Sequence, residues 1–150
     1  MTAAATTLAT LLRSPAEALD RRILDEARAA GFTDLVAAHL TVLGHPALDG
    51  LRPSELADEA GMTRQALNYL LGQLEQLGYL VREADRLGDD RRSKRVYLTE
   101  RGEALRRAVR QSVTAVETEL EAELGSRDYR QLRKLLGRLD AAAVLRPEAF

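Results

Sequence analysis

The chain has 150 residues, 45% hydrophobic and 30% charged, a length and balance suited to one soluble globular domain. It contains no Cys, which excludes disulfides, zinc fingers, thiolate catalysis and thiol redox sensing, and its formal net charge of −1 supplies no global field for a polyanion. With two Phe, four Tyr and no Trp, the core must be built from Leu, Val, Ile and Ala, which favours a mainly α fold with a small β element.

Residues Met1 to Leu12 carry no basic start ahead of their apolar residues, so secretion is not expected. No apolar run approaches the roughly 18 residues that would cross a bilayer, and a cytoplasmic location is the expectation. Ser14-Pro15-Ala16-Glu17 predicts a helix start, with Ser as cap, Pro in the first turn and Glu closing a capping box; Gly31 is its stop. Leu19, Ile23 and Ala27 recur every four residues and give that helix an apolar face that something must cover.

A second helix is predicted from about Asp34 to Leu43 after a Thr33 cap, ended by Gly44-His45-Pro46. A third, short helix runs Pro53 to Glu59, with Arg52 a poor cap for it, and Gly61 ends it. Thr63 caps a fourth helix whose Leu67, Leu70, Leu74 and Leu77 share a face, and Gly78 terminates it. Tyr79 to Arg82 and Arg95 to Leu98 are short β-prone runs that read as a hairpin with a long charged tip.

Thr99 caps a fifth helix in which Leu105, Val109, Val113, Val116, Leu120 and Leu124 keep spacings of three or four, a length of about 37 Å at about 1.5 Å per residue. After Gly125, Ser126 is placed as the cap of a sixth helix carrying Tyr129, Leu132, Leu136, Leu139 and Ala143 on one stripe and ending before Pro147. The resulting division is an N-terminal segment 1–32, a central domain 33–99 and C-terminal helices 100–150.

Ser54 to Leu70 has the constitution of a helix-turn-helix. Ala57 is small enough for two helices to cross closely, Gly61 permits the turn, and Leu56, Met62, Leu67 and Leu70 supply the shared core. The second helix then carries Thr63, Arg64, Gln65, Asn68 and Tyr69 in its first turns, where a helix docked by its N-terminus reaches base edges and phosphates. Gln and Asn pair with adenine edges, and Arg with guanine or phosphate. Taken alone, this helix reads equally well as a solvated polar face. The hairpin tip adds Arg86, Arg91, Arg92, Lys94 and Arg95 against Asp85, Asp89 and Asp90, a locally positive element suited to an adjacent minor groove, with Asp90 pairing with Arg92 to stiffen it.

Ser54 to Gly102, about a third of the chain, resembles the DNA-binding domain of the MarR family of bacterial transcription regulators. Asp90-Arg91-Arg92, then Val96-Tyr97-Leu98-Thr99 and Gly102, is similar to the family's Asp-x-Arg, short strand and Leu-Thr-x-x-Gly; Glu55-Leu56-Ala57 with Gly61, and Leu74-Glu75 with Gly78 and Arg82, resemble its helix-turn-helix and the passage into its wing. The resemblance implies a winged helix-turn-helix flanked by N- and C-terminal dimerisation helices. It assigns the major groove to Arg64, Gln65 and Asn68 and the wing contacts to Arg92 and Lys94, oriented by Asp90. At Tyr69 many members carry an Arg, so a charged contact there is either lost or replaced by a phenol hydrogen bond.

The implied function is that of a sequence-specific double-stranded DNA-binding regulator, a repressor, acting as a homodimer on a pseudo-palindromic operator with recognition helices roughly 34 to 36 Å apart. Three long amphipathic helices around a small domain argue independently for self-association. The resemblance also implies release by a small aromatic or phenolic effector, with Arg28, Phe32, His39 and Val113 as lining candidates. A lone His39 on an apolar helix is more often a core residue. No enzyme, cofactor or metal is expected: two His and no Cys offer no triad or ligand spacing, and His39 and His45 are too far apart along the chain to share a helix face. The alternative is a winged helix that binds protein rather than DNA, as the overall acidity would suit.

Overall fold

The computed structural model describes residues 6–84, 93–142 and 145. Among the described residues, six helices and a two-stranded antiparallel sheet follow one another as α1 (Leu8–Ala29), α2 (Ala37–Leu43), α3 (Pro53–Glu59), α4 (Arg64–Gln76), β1 (Leu80–Ala84), β2 (Lys94–Leu98), α5 (Glu100–Leu124) and α6 (Ser126–Asp140). The chain divides after Ser112 into two compact units. Among the described residues, no helix is long and apolar enough to cross a membrane.

Helix α1 starts about two turns earlier than Ser14-Pro15 suggests. Thr7 caps it by accepting from the Thr10 N–H at 3.3 Å, and Pro15 lies inside the helix. The carbonyl that Pro15 leaves without a donor, that of Leu11, belongs to an exposed stretch where water can serve it. Of the expected apolar face only Ala27 is buried, together with Leu24 beside it.

Helix α2 begins at Ala37 rather than Asp34, for a reason that is tertiary. The Asp34 carboxylate is taken by Tyr79 and Arg101, so it cannot serve a helical first turn, and Val36 becomes the N-cap. His39 Nδ1 accepts the Val36 N–H at 3.3 Å, the part that the Glu or Gln of a capping box plays. At α3 the weak cap is remedied by Glu55, whose Oε2 accepts the Arg52 N–H at 3.0 Å. At the far end of the chain, Gly125 is the N-cap of α6 and Ser126 its first helical residue; the helix ends at Asp140, and Ala143 lies outside the described residues.

The core of the first unit is leucine-rich: Leu35, Leu43, Leu48, Leu56, Leu67, Leu71, Leu74, Leu80 and Leu105 are almost fully enclosed, with Val42, Val96 and Tyr79. At about 1.5–3 kcal/mol per fully buried side chain, this cluster is the main stabilising contribution holding α3 and α4 at their crossing. Ala57 is completely buried at that crossing. Gly61, at φ 63°, turns the chain between the two helices in the left-handed region, which a β-carbon would strain.

The hairpin pairs Leu80 with Leu98 through Ala84 with Lys94. Its second strand is also held from outside. Gly50 N–H donates to the Val96 carbonyl at 2.7 Å, Val96 N–H to the Leu51 carbonyl at 2.9 Å, and Leu98 N–H to Asp49 Oδ1 at 2.9 Å, so the loop before α3 lies along β2. Thr99 then knots the hairpin to α5. Its hydroxyl donates to the Gly78 carbonyl at 2.6 Å and accepts the Gly102 N–H at 3.1 Å, while its own N–H reaches the Tyr79 carbonyl at 3.1 Å. Gly102 is needed because its α-carbon lies so near Tyr79 that a β-carbon would sit 1.9 Å from that residue's carbonyl oxygen.

In the second unit Val116 and Tyr129 are buried, and Arg133 bridges Glu117 at 3.1 Å while lying over the Tyr129 ring. Leu132, Leu135 and Leu136 of α6 remain 40–47% exposed, and Leu124 45%.

Candidate nucleic-acid interface

Helix α4 owes its position to its underside. Leu67, Leu70, Leu71 and Leu74 are buried, and Thr63 Oγ1 caps the helix by accepting the Ala66 N–H at 3.1 Å. This leaves Thr63, Arg64, Gln65, Asn68 and Tyr69 exposed on the opposite side. At about 100° per residue, Asn68, Gly72, Gln65 and Tyr69 fall within an arc of about 100°, with Arg64 at one rim. Among the described residues, Arg64, Gln65 and Asn68 engage no hydrogen bond or ion pair, so their donors and acceptors remain available. Tyr69 differs: its oxygen accepts from Gln73 Nε2 at 3.1 Å.

The hairpin is clipped to the end of this helix by Glu75. That carboxylate accepts from Arg82 Nε at 3.0 Å, Arg82 Nη2 at 2.8 Å and the Arg82 backbone N–H at 3.1 Å. Partial burial pushes the Glu75 carboxyl up, but the Arg82 hydrogen bonds and charge, with a smaller contribution from Lys94, outweigh it and hold its pKa below the ordinary value. The Lys94 charge is thus felt at the C-terminal part of α4. Lys94 is exposed at the start of β2. Arg91 and Arg92, assigned to the wing, and Asp90, assigned to order it, lie outside the described residues.

A second cluster braces the same, C-terminal end of the helix. Tyr79 donates its hydroxyl to Asp34 Oδ1 at 2.5 Å, and Arg101 Nη2 reaches Asp34 Oδ2 at 2.7 Å and the Tyr79 oxygen at 3.1 Å. The Arg101 guanidinium lies 4.3 Å over the Tyr79 ring, and Phe32 faces that ring at 6.2 Å. Burial, then the Asp34 hydrogen bond and charge, push the Tyr79 phenol up to about 12. Burial works against Asp34 ionising, yet the bonds from Tyr79 and Arg101 prevail and its pKa is lowered. No local pattern announces this triad, because its members are spread from position 34 to 101; the close fit of Gly102 against Tyr79 is the nearest sequence signal.

The residues nominated for an effector have structural partners. Arg28 donates to the Leu35 carbonyl at 2.9 Å and pairs with Asp25 at 3.8 Å. Phe32 packs against Tyr79, and His39 is 3% exposed with both ring nitrogens engaged, Nε2 with Gln73 Oε1 at 3.0 Å. Val113 falls in the second unit and is half-buried.

The MarR family model matches residues 31–93, the stretch from the end of α1 to the hairpin. The HTH-type transcriptional repressor Rv2887 of Mycobacterium tuberculosis is 34% identical over 90 residues, which are 60% of this chain and 63% of that relative's length. The crystal structure of the same M. tuberculosis MarR family protein, in complex with salicylic acid, superposes with a TM-score of 0.64 at 28% identity, covering 91% of this chain and 98% of that one. The S. aureus MepR–DNA complex shares the fold at a TM-score of 0.74 and 21% identity, covering 91% of this chain and 97% of that one. With the helix-turn-helix, the hairpin and the Thr99–Gly102 knot all in place, the chain is similar to MarR family proteins, whose family model covers residues 31–93 of it.

Proposed function

We propose that this protein is a sequence-specific double-stranded DNA-binding transcription regulator that acts as a homodimer, most simply as a cytoplasmic repressor. One observation carries the reading: Arg64, Gln65 and Asn68 stand exposed and without partners among the described residues, on a helix whose opposite side is locked by four buried leucines. Side chains so placed have the donor and acceptor sets that base edges require, on an element rigid enough to present them. The repressor Rv2887 and the MepR–DNA complex support it by likeness.

The homodimer rests on leucines that the single chain leaves uncovered, Leu8 and Leu11 on α1 and Leu132, Leu135 and Leu136 on α6. A small phenolic anion as effector is supported by the salicylic acid held by Rv2887. Of the residues nominated for it, Arg28 has a side chain 43% exposed and carries the cation a carboxylate would seek.

The test is a gel-shift titration of the full chain on DNA from upstream of its own gene, over a range of salt. Binding should weaken steeply as salt rises, and Arg64→Ala should lower affinity without loss of folding. Gln65→Ala and Asn68→Ala should each relax preference at particular base pairs by about 1–3 kcal/mol. Absence of retardation at low salt on every fragment would favour a protein partner for the exposed face of α4.

A further inference from the structure

A chain of three hydrogen bonds runs from the start of α2 through the buried His39 to the exposed face of α4, and its direction is forced at every link. A backbone N–H can only donate, so the Val36 amide, 3.3 Å from His39 Nδ1, makes that nitrogen an acceptor. The neutral ring therefore carries its proton on Nε2 and donates it to Gln73 Oε1 at 3.0 Å. With its oxygen turned to His39, Gln73 presents its NH2 group to Tyr69, whose phenol oxygen accepts at 3.1 Å. A phenol occupied in this way as an acceptor has one proton left to give.

That proton has a use. Tyr69 is 67% exposed and lies at the rim of the exposed arc of α4, on the side of Gln73 and α2, while Gln65 and Asn68 lie nearer its middle. On a helix docked in a major groove, the middle of the arc meets base edges and its rim meets the sugar-phosphate strand. Phosphate oxygens are acceptors only, and a hydroxyl already committed as a donor does not have to be reoriented on binding. We propose that His39 and Gln73 are positioning residues that preset the Tyr69 hydroxyl as a hydrogen-bond donor to a backbone phosphate. The inference rests on the DNA-binding reading and gives a purpose to the buried histidine and to the phenol.

A double-mutant cycle in the full chain tests it. Tyr69→Phe should weaken DNA binding about tenfold, the worth of a hydrogen bond to a charged acceptor. Its effect should be nearly uniform over DNA sequences and leave the slope against salt unchanged, because a neutral phenol displaces no counterion. Gln73→Met, which keeps the volume and removes the relay, should cost about threefold in the parent and nothing further beside Tyr69→Phe. Nitrogen NMR of the free protein should show His39 protonated on Nε2 only. A Gln73→Met cost of equal size with and without the Tyr69 hydroxyl, or no cost at all, overturns the relay, as does a His39 proton on Nδ1. Parent protein that binds no DNA overturns the functional reading instead, a result the NMR measurement does not depend on.

Discussion

Replacing Gly102 by Ala sets two physical effects against each other. Gly102 is the third residue of α5, and in a helix interior Ala is favoured over Gly by about 1 kcal/mol, so intrinsic preference alone predicts a more stable protein. The surroundings predict the reverse. A β-carbon at 102 would meet the Tyr79 carbonyl oxygen at 1.9 Å and Leu98 Cδ2 at 3.0 Å. Ordinary carbon–oxygen contact needs more than a further ångström, and the obstacle is backbone held by the Thr99 N–H. Relieving the overlap costs about 1–3 kcal/mol as overpacking, and moving α5 away breaks the Thr99–Gly102 and Thr99–Tyr79 bonds at about 1 kcal/mol each. The net expectation is a loss of about 2–4 kcal/mol.

Gly72 provides the control on the same molecule, since a β-carbon there meets nothing within 4 Å; Gly72→Ala should stabilise by about 0.5–1 kcal/mol. Urea denaturation followed by circular dichroism measures both, through the midpoint at constant slope. Gly102→Ala no less stable than the parent would refute the reasoning, whatever Gly72→Ala does.

The Glu75–Arg82 clip should contribute about 1–2 kcal/mol, so Glu75→Gln loses that much at neutral pH. Because the folded pKa of Glu75 lies below its unfolded value, the contribution is present above the unfolded value and fades as pH falls through the folded one; the gap between parent and variant in urea should therefore close in acid, and a gap constant with pH would count against the clip. For Tyr79 the sign is opposite. Its folded pKa is raised to about 12, so the stability tied to its protonated hydroxyl is present below about 10 and is lost as pH climbs through the folded value. Tyrosinate absorbance should show a late-titrating component that Tyr79→Phe removes, and an alkaline titration identical in the two proteins would contradict it. Leu132→Asp with Leu136→Asp should weaken self-association on the order of a thousandfold, at roughly 1 kcal/mol for each half-exposed leucine over two protomers; sedimentation equilibrium unchanged by both would place the dimer contact elsewhere.

The elements legible in the sequence are those whose ends are decided locally. Thr63 caps α4 with its own hydroxyl, and the leucine stripe beneath that helix is buried as its spacing implies. Pro53 opens α3 at the position its fixed φ suits. Where a distant partner decides, the pattern misleads. Asp34 resembles a first-turn acid but is drawn off by Tyr79 and Arg101, so α2 starts three residues later. Ser14-Pro15 has every mark of a helix start, yet Thr7 caps first and Pro15 is tolerated where solvent replaces its missing bond. The exposed residues of α4 were readable because amphipathic spacing fixes which side faces out. The Tyr69–Gln73–His39 relay was not, since its histidine lies 30 or more positions from its other members.

The stretch from Asp49 to Leu51 has little to do as a connector. By lying along the second strand through Gly50, Leu51 and the Asp49 carboxylate, it makes the distance between α2 and α3 a ruler for the hairpin. One residue added there would slip the pairing by a position and exchange inward for outward side chains along that edge. Relatives of this chain that vary the length of this loop must therefore re-aim their wing, and transplanting a hairpin without its matching loop would carry over the cation while losing its bearing.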